Sequence, residues 1–257
     1  MTTEKTTYSL ALSGGGIRGM AHIGALQALI ENGIEPRVIA GASSGALVGA
    51  FYAAGYEPQE ILKFFEDTAL FTFDKYIHRK PGILDTEKFY QVFKPFFPED
   101  QFSGLEKKLF IVATDILEGA PRVFTEGPLI QAMLASAAFP FVLSPIEIDG
   151  SYYADGGIIN NFPVELVKGK CQKTIGVFAN PLPSIQPDEL SSSMAVLERA
   201  FKIGMASMSI PKFEDCDILV APEELSQFTT FNKDHIGEAY KIGYTHTQKA
   251  LEASGIR

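Results

Sequence analysis

The chain has 257 residues, 46% of them hydrophobic and 21% charged, with 22 Lys and Arg against 31 Asp and Glu for a formal net charge of −9. This is ordinary globular composition at a length that supports one large α/β core, so disorder is not expected beyond the termini, and the acidic balance argues against nucleic acid and against general attraction to anionic membranes. Cys171 and Cys216 have neither metal-ligand nor disulfide-scaffold spacing and read as packed thiols. Residues 1–7 lack the charged-then-apolar order of a secretory signal and no run reaches transmembrane length. The expected setting is cytoplasmic, with peripheral membrane association as the variant.

The first apolar run, 8–12, predicts a buried strand. It leads into Gly14-Gly15-Gly16-Ile17-Arg18-Gly19 and then into helical apolar spacing over 20–32. Three successive glycines expose backbone N–H groups to an anion. The same turn fits the dinucleotide fingerprint, so an oxidoreductase binding nicotinamide or flavin is a competing reading. A dinucleotide unit wants an acid at the end of the second strand. That strand, 37–41, runs into Gly41-Ala42-Ser43, and Glu35 lies before it.

Gly41-Ala42-Ser43-Ser44-Gly45 sits between this strand and an apolar helix over 45–55, the context of a nucleophile elbow. An elbow needs small residues around a strained nucleophile at a helix N-terminus, and Gly41 and Gly45 take those places. The helix dipole favours a serine losing its proton and an oxyanion beside it. Ser43 is the candidate nucleophile; Ser44 is the rival but lacks symmetric glycine flanks.

Helices are predicted over 57–69 and 85–94, within a segment of different character. Between Phe64 and Phe102 lie nine of the 20 phenylalanines, mixed with Lys75, Arg79, Lys80, Lys88 and Lys94. These rings are read as completing the core under a long connection. The functional alternative is a cap forming an acyl-chain pocket or dipping into a lipid interface. The domain expectation is a single unit, 1–257, with this aromatic-rich cap or insertion at about 64–105.

A strand at 109–114 and a helix at 127–137 come next, the helix stopping before Pro140, with a structural role expected for Ser136. Residues 145–153 read as a hairpin about Asp149-Gly150 whose second strand delivers Asp155. Asp155 is the candidate base, since a desolvated carboxylate within reach of a serine hydroxyl can take its proton without histidine. Gly156 and Gly157 would let the loop pass close to the elbow, and Asn160 and Asn161 are expected to satisfy backbone groups around it. Strands at 174–179 and 217–221 and helices at 189–205 and 236–253 complete the chain. Met194, Met205 and Met208, near Phe201 and Ile210, are read as core, with a homodimer interface or a place beside a lipid site as alternatives. His235 and His246 follow Asp155 and keep a Ser-His-Asp triad open, mostly through His235 near a helix start. His246 lies within a helical stretch, and His78 in a basic turn.

Strands separated by helices indicate an α/β fold, a mainly parallel sheet with helices on both faces. Taken together, the glycine loop with Arg18 and His22, the Gly-x-Ser-x-Gly elbow, the block Ala135-Ser136-Ala137-Ala138-Phe139-Pro140, and Asp155-Gly156-Gly157 followed by Asn161-Phe162-Pro163 resemble the patatin-like phospholipases, in particular short one-domain bacterial members. The resemblance covers about 180 residues in family order. It implies a patatin-like three-layer α/β/α sandwich and a Ser43–Asp155 dyad. It further implies that Gly14, Gly15 and Gly16 donate to an oxyanion, with Arg18 supporting the loop or offsetting charge, Gly19 part of the motif and His22 structural. The expected function is a serine acyl hydrolase acting on lipid esters, with no metal or organic cofactor. The partners expected are the lipid ester and a transiently contacted membrane surface, with a homodimer left open. A catalytically idle lipid-binding protein retaining the fold is the alternative of a different class.

Overall fold

The structure is a computed structural model and describes residues 6–68, 86–140, 143–229 and 233–255. Its strands are β1 (Tyr8–Leu12), β2 (Val38–Ala42), β3 (Lys108–Asp115), β4 (Ala120–Phe124), β5 (Ile146–Ile148), β6 (Ser151–Asp155), β7 (Lys173–Val177) and β8 (Ile218–Val220). Its α-helices are α1 (Met20–Glu31), α2 (Ser44–Ala53), α3 (Pro58–Asp67), α4 (Thr86–Phe93), α5 (Leu129–Ser136), α6 (Gly157–Asn160), α7 (Ser193–Ser209) and α8 (Ile236–Ala253). The sheet runs β5-β6-β3-β2-β1-β7-β8, with β4 also on β3. Strands β3, β2, β1, β7 and β8 are mutually parallel, while β4, β5 and β6 form antiparallel pairs.

The two-residue period of the strands divides the interior. Leu10, Leu12, Ile39, Leu109, Ile111, Ile175 and Val177 face a large core shared with α1, α2, α3, α5 and α8. Their neighbours Ala11, Ala40, Phe110 and Leu219 face a smaller core built on Phe162, Val164, Val167 and Phe178. Alternate side chains thus enter opposite layers, which makes the sheet the middle of an α/β/α sandwich.

Of the aromatic segment, Phe64, Phe93, Phe96 and Phe97 pack about Phe51, with centroid distances from 4.5 to 6.3 Å. These rings are core, as composition favoured; Phe71, Phe73, Lys75, His78, Arg79 and Lys80 lie outside the described residues. Strand β4 has no counterpart among the predicted elements. Pro121 hides it, and the structure shows why Pro is tolerated: β4 pairs with β3 alone and is an edge. The predicted 145–153 hairpin is present, with Asp149 at φ 51° and Gly150 at φ 82° joining β5 to β6 in a two-residue turn that requires positive φ.

Candidate active site

Strand β3 organises the site. Over 111–115 one of its edges is taken by β4, so β2 and β6 share the other edge. Strand β2 ends with Ala42 opposite Val112, and antiparallel β6 ends with Asp155 opposite the next residue, Ala113. The two strands meet head to head, and Ser43 and Asp155 are the residues at the meeting point. Ser43 Oγ donates to Asp155 Oδ2 at 2.7 Å.

Ser43 caps α2 with φ 51° and ψ −126°, a strained conformation for a residue with a side chain. Its carbonyl accepts from Ala46 and Leu47 as the helix begins. The flanking glycines are sterically required. A Cβ on Gly41 would lie 2.5 Å from the Gly45 carbonyl oxygen, and one on Gly45 would strike the Leu12 and Ser13 carbonyl oxygens. Ser44 is buried against Gly19, and its hydroxyl has no hydrogen-bond partner among the described residues. It does not share the carboxylate.

Asp155 is 2% exposed. Burial pushes its carboxyl up to about 6, opposed by hydrogen bonds from the Ser43 hydroxyl and from the Gly157 amide, which donates to Oδ1 at 2.7 Å. The carboxylate is therefore ionised at neutral pH yet more basic than a solvated aspartate, as a general base should be. Both of its oxygens are engaged without a histidine. His235 stacks on Phe228 at 4.7 Å and pairs with Glu238, and His246 pairs with Glu224 at 3.0 Å. Neither takes the middle place of a triad.

Ser136, expected to be structural, is more tightly bound to the site than its sequence suggested. At the end of α5, its hydroxyl accepts from the Ser43 amide at 2.9 Å and donates to the Val112 carbonyl at 2.6 Å. Its own carbonyl accepts from Gly156, and the neighbouring Ala138 carbonyl accepts from Asp155. One serine thus ties the nucleophile strand, β3 and the base loop together.

The glycine loop leaves β1, whose neighbours β2 and β7 lie on opposite sides, so it occupies the crevice where such sheets bind ligands. Ser13 Oγ donates to the Gly14 carbonyl at 2.9 Å and Arg18 Nε to the Gly15 carbonyl at 3.1 Å. In a trans peptide, C=O and N–H point in opposite directions, so holding these two carbonyls turns the Gly15 and Gly16 amides the other way. Neither amide has a hydrogen-bond partner among the described residues. Gly16 takes φ 60°, in the left-handed region that glycine adopts without cost. Gly14 departs from expectation, because its N–H donates to the Asn161 carbonyl at 3.0 Å and is not free for an oxyanion. Gly14 instead supplies closeness, since a Cβ there would lie 3.1 Å from that of Ser43.

Arg18 is buried, and desolvation lowers its guanidinium to about 10, leaving it charged at neutral pH. His22 donates from Nε2 to the Ser13 carbonyl at 2.8 Å, and burial lowers it to about 4, so it is a neutral strut. The asparagines differ from expectation. Asn160 binds Glu165 and Lys212 rather than the aspartate loop, and the buried Asn161 side chain has no partner among the described residues, although its backbone anchors Gly14. No cluster of three or more metal-ligating side chains occurs among the described residues.

The family model for patatin-like phospholipase matches residues 10–168, more than half of the chain, a range that includes the glycine loop, Ser43, Ser136 and Asp155. The chain belongs to the patatin-like phospholipase family. An uncharacterised protein of Acanthamoeba polyphaga mimivirus is 33% identical to this patatin-like protein over 200 residues, 69% of this chain and 67% of that protein. An uncharacterised NTE family protein of Mycobacterium tuberculosis is 39% identical over 176 residues, 67% of this chain and 49% of its relative. Human patatin-like phospholipase domain-containing protein 6 is 31% identical over 193 residues, 66% of this chain but 13% of that much longer protein. This patatin-like chain therefore spans about half the length of the mycobacterial relative. Among solved structures, VipD from Legionella pneumophila superimposes with a TM-score of 0.59 at 16% identity, covering 98% of this chain and 67% of that one. The type III effector ExoU gives 0.51 at 14% identity, covering 99% and 54%. The shared fold is patatin-like.

Proposed function

We propose that the protein is a serine hydrolase of fatty-acyl esters of lipids, working through a Ser43–Asp155 dyad. The observation that carries this reading is the 2.7 Å hydrogen bond from a strained, helix-capping serine to a buried carboxylate. Asp155 Oδ2 takes the Ser43 proton as Oγ attacks the ester carbonyl carbon. The resulting oxyanion is received by the Gly15 and Gly16 amides, with the charge of Arg18 behind their loop. Collapse breaks the ester C–O bond, and the departing alcohol takes the proton held by Asp155. Asp155 then removes a proton from water, which attacks the acyl-serine and releases the fatty acid. The proton on Asp155 returns to Ser43.

Nothing in this cycle calls for a metal or an organic cofactor. The dinucleotide reading receives no support, since the loop packs against the nucleophile and family membership accounts for its glycines. The test is hydrolysis of a water-soluble short-chain ester by the wild-type protein and by Ser43→Ala. Turnover by the wild type at least about a thousandfold above the variant is expected. Equal rates would leave the idle lipid-binding protein as the better description.

A further inference from the structure

Helix α7 has two unlike sides. Val196, Leu197, Ile203 and Met208 are exposed, Met194's side chain lies outside the described residues, and Met205, Ala206 and Ser209 turn inward. The core packing that composition favoured for this stretch therefore fails for the helix as a whole. Met205 is buried, yet it packs in neither of the two cores. It closes instead on the candidate active site.

A Cβ on Gly157 would stand 2.9 Å from Asp155 Oδ1 and 3.0 Å from Met205 Cε, so the methionine methyl and the second oxygen of the base flank one point. Methionine is flexible, and here its turn is settled by Asn180, whose Nδ2 donates weakly to Met205 Sδ at 3.9 Å. Asn180 Oδ1 has no partner among the described residues but is closed off from solvent, so it offers nothing to a polar group arriving at Met205. One turn earlier on the same face, Phe201 meets Phe139 edge to face at 5.5 Å, next to the Ala138 carbonyl that accepts the Asp155 amide. Phe201 and Met205 thus set an apolar wall against the base loop.

The reaction decides which half of the ester reaches this wall. In the tetrahedral intermediate the former carbonyl carbon carries Ser43 Oγ, the oxyanion, the acyl chain and the oxygen of the departing alcohol. The oxyanion belongs to the Gly15 and Gly16 amides. The alcohol oxygen takes its proton from Asp155 as the C–O bond breaks, so that oxygen and the carbon it bears must lie against the base. Met205 flanks the base, which places it beside the alcohol half and not the acyl half.

We propose that Met205, with Phe201 beside it, is a specificity-determining residue for the alcohol half of the ester, favouring alcohols that carry hydrocarbon next to the ester oxygen over small polar ones. The proposal rests on the hydrolase reading above. Hydrocarbon on the alcohol leaves water for the thioether and the ring, and that transfer supplies the preference.

The experiment measures kcat/KM by release of free acid from methyl butyrate, hexyl butyrate and methyl octanoate. The first two differ only in the alcohol, and the first and third only in the acyl chain. Wild type, Met205→Ala and Met205→Gln are compared, with thermal melting to show that each is folded. The wild type should favour hexyl over methyl butyrate by at least about tenfold. Both variants should reduce that preference at least about fivefold, while their acyl preference stays within about twofold of the wild type's. A side chain that merely holds the base loop would lower all three rates together and leave both ratios unchanged, which overturns the proposal. So does a wild type without an alcohol preference, or a variant in which the acyl ratio moves instead. If Met205→Ala does not fold, Met205→Gln, close to methionine in volume, decides the matter; failure of both to fold assigns Met205 to structure and overturns the proposal. A wild type that turns over no ester defeats the hydrolase reading itself, a result distinct from turnover that ignores the alcohol.

Discussion

Replacing Asp155 by asparagine separates what the dyad does for chemistry from what it costs the fold. Burial raises the carboxyl from an ordinary 3.8 to about 6, so the folded state disfavours the ionised form that catalysis requires. A group whose pKa is raised on folding contributes stability that is fully present below the unfolded value and is lost as pH rises through the folded one. For Asp155 the loss runs from about pH 4 to 6 and is then constant. A rise of that size corresponds to about 3 kcal/mol, of which about 2 kcal/mol is lost between pH 4.5 and 8. The amide of the Asp155→Asn variant cannot ionise, so the variant escapes this loss. Denaturant unfolding of wild type and Asp155→Asn at both pH values cancels any pH-independent effect of the amide. The stability difference between variant and wild type should move by about 2 kcal/mol in favour of the variant on going from pH 4.5 to 8, while ester hydrolysis falls by at least about a thousandfold. A difference that stays the same at the two pH values would refute the claim that the site holds a desolvated, ionised carboxylate.

The same shift sets the acid limb of activity. The base must be ionised, so kcat/KM should fall tenfold per unit below an apparent pKa of about 6; a plateau continuing below pH 5 would contradict it. Ser136→Ala removes the acceptor of the Ser43 amide and the donor to Val112, and should cost roughly 1–3 kcal/mol of stability and at least about tenfold in kcat. Turnover equal to wild type would show that the elbow is held without it. His235→Ala should leave ester turnover within about twofold, because that ring stacks on Phe228 and pairs with Glu238. A loss matching that of Asp155→Asn in a folded protein would restore the triad.

The sequence revealed those parts of the site in which chemistry demands particular residues at short spacing. The elbow is a short motif, and Gly41 is needed because Gly45 and Ala46 lie against it, whereas Gly45 is needed because the end of β1, distant in the chain, passes close by. The Asp149-Gly150 turn is equally short, so the hairpin carrying Asp155 could be read directly. What joined the motifs was hidden, because the head-to-head meeting of β2 and β6 depends on register against β3, and register is set by pairing between segments far apart in the chain. For the same reason the segment around Ser136 shows only the end of a helix and not the acceptor of the Ser43 amide. The glycine loop offers one free donor fewer than its three glycines suggest, since nothing in its own residues tells that the Asn161 carbonyl claims the Gly14 amide. Apolar content in α7 suggested core, because composition cannot say which side of a helix the rest of the chain covers.

The most direct measurement is covalent. Incubation with an alkyl fluorophosphonate, followed by peptide mass spectrometry, reports which hydroxyl attacks an electrophile at the site. A single adduct on Ser43 is predicted, formed faster above pH 6 than below it and greatly slowed in Asp155→Asn. An adduct on Ser44 or elsewhere, or labelling of Ser43 that is undiminished in Asp155→Asn, would contradict the dyad.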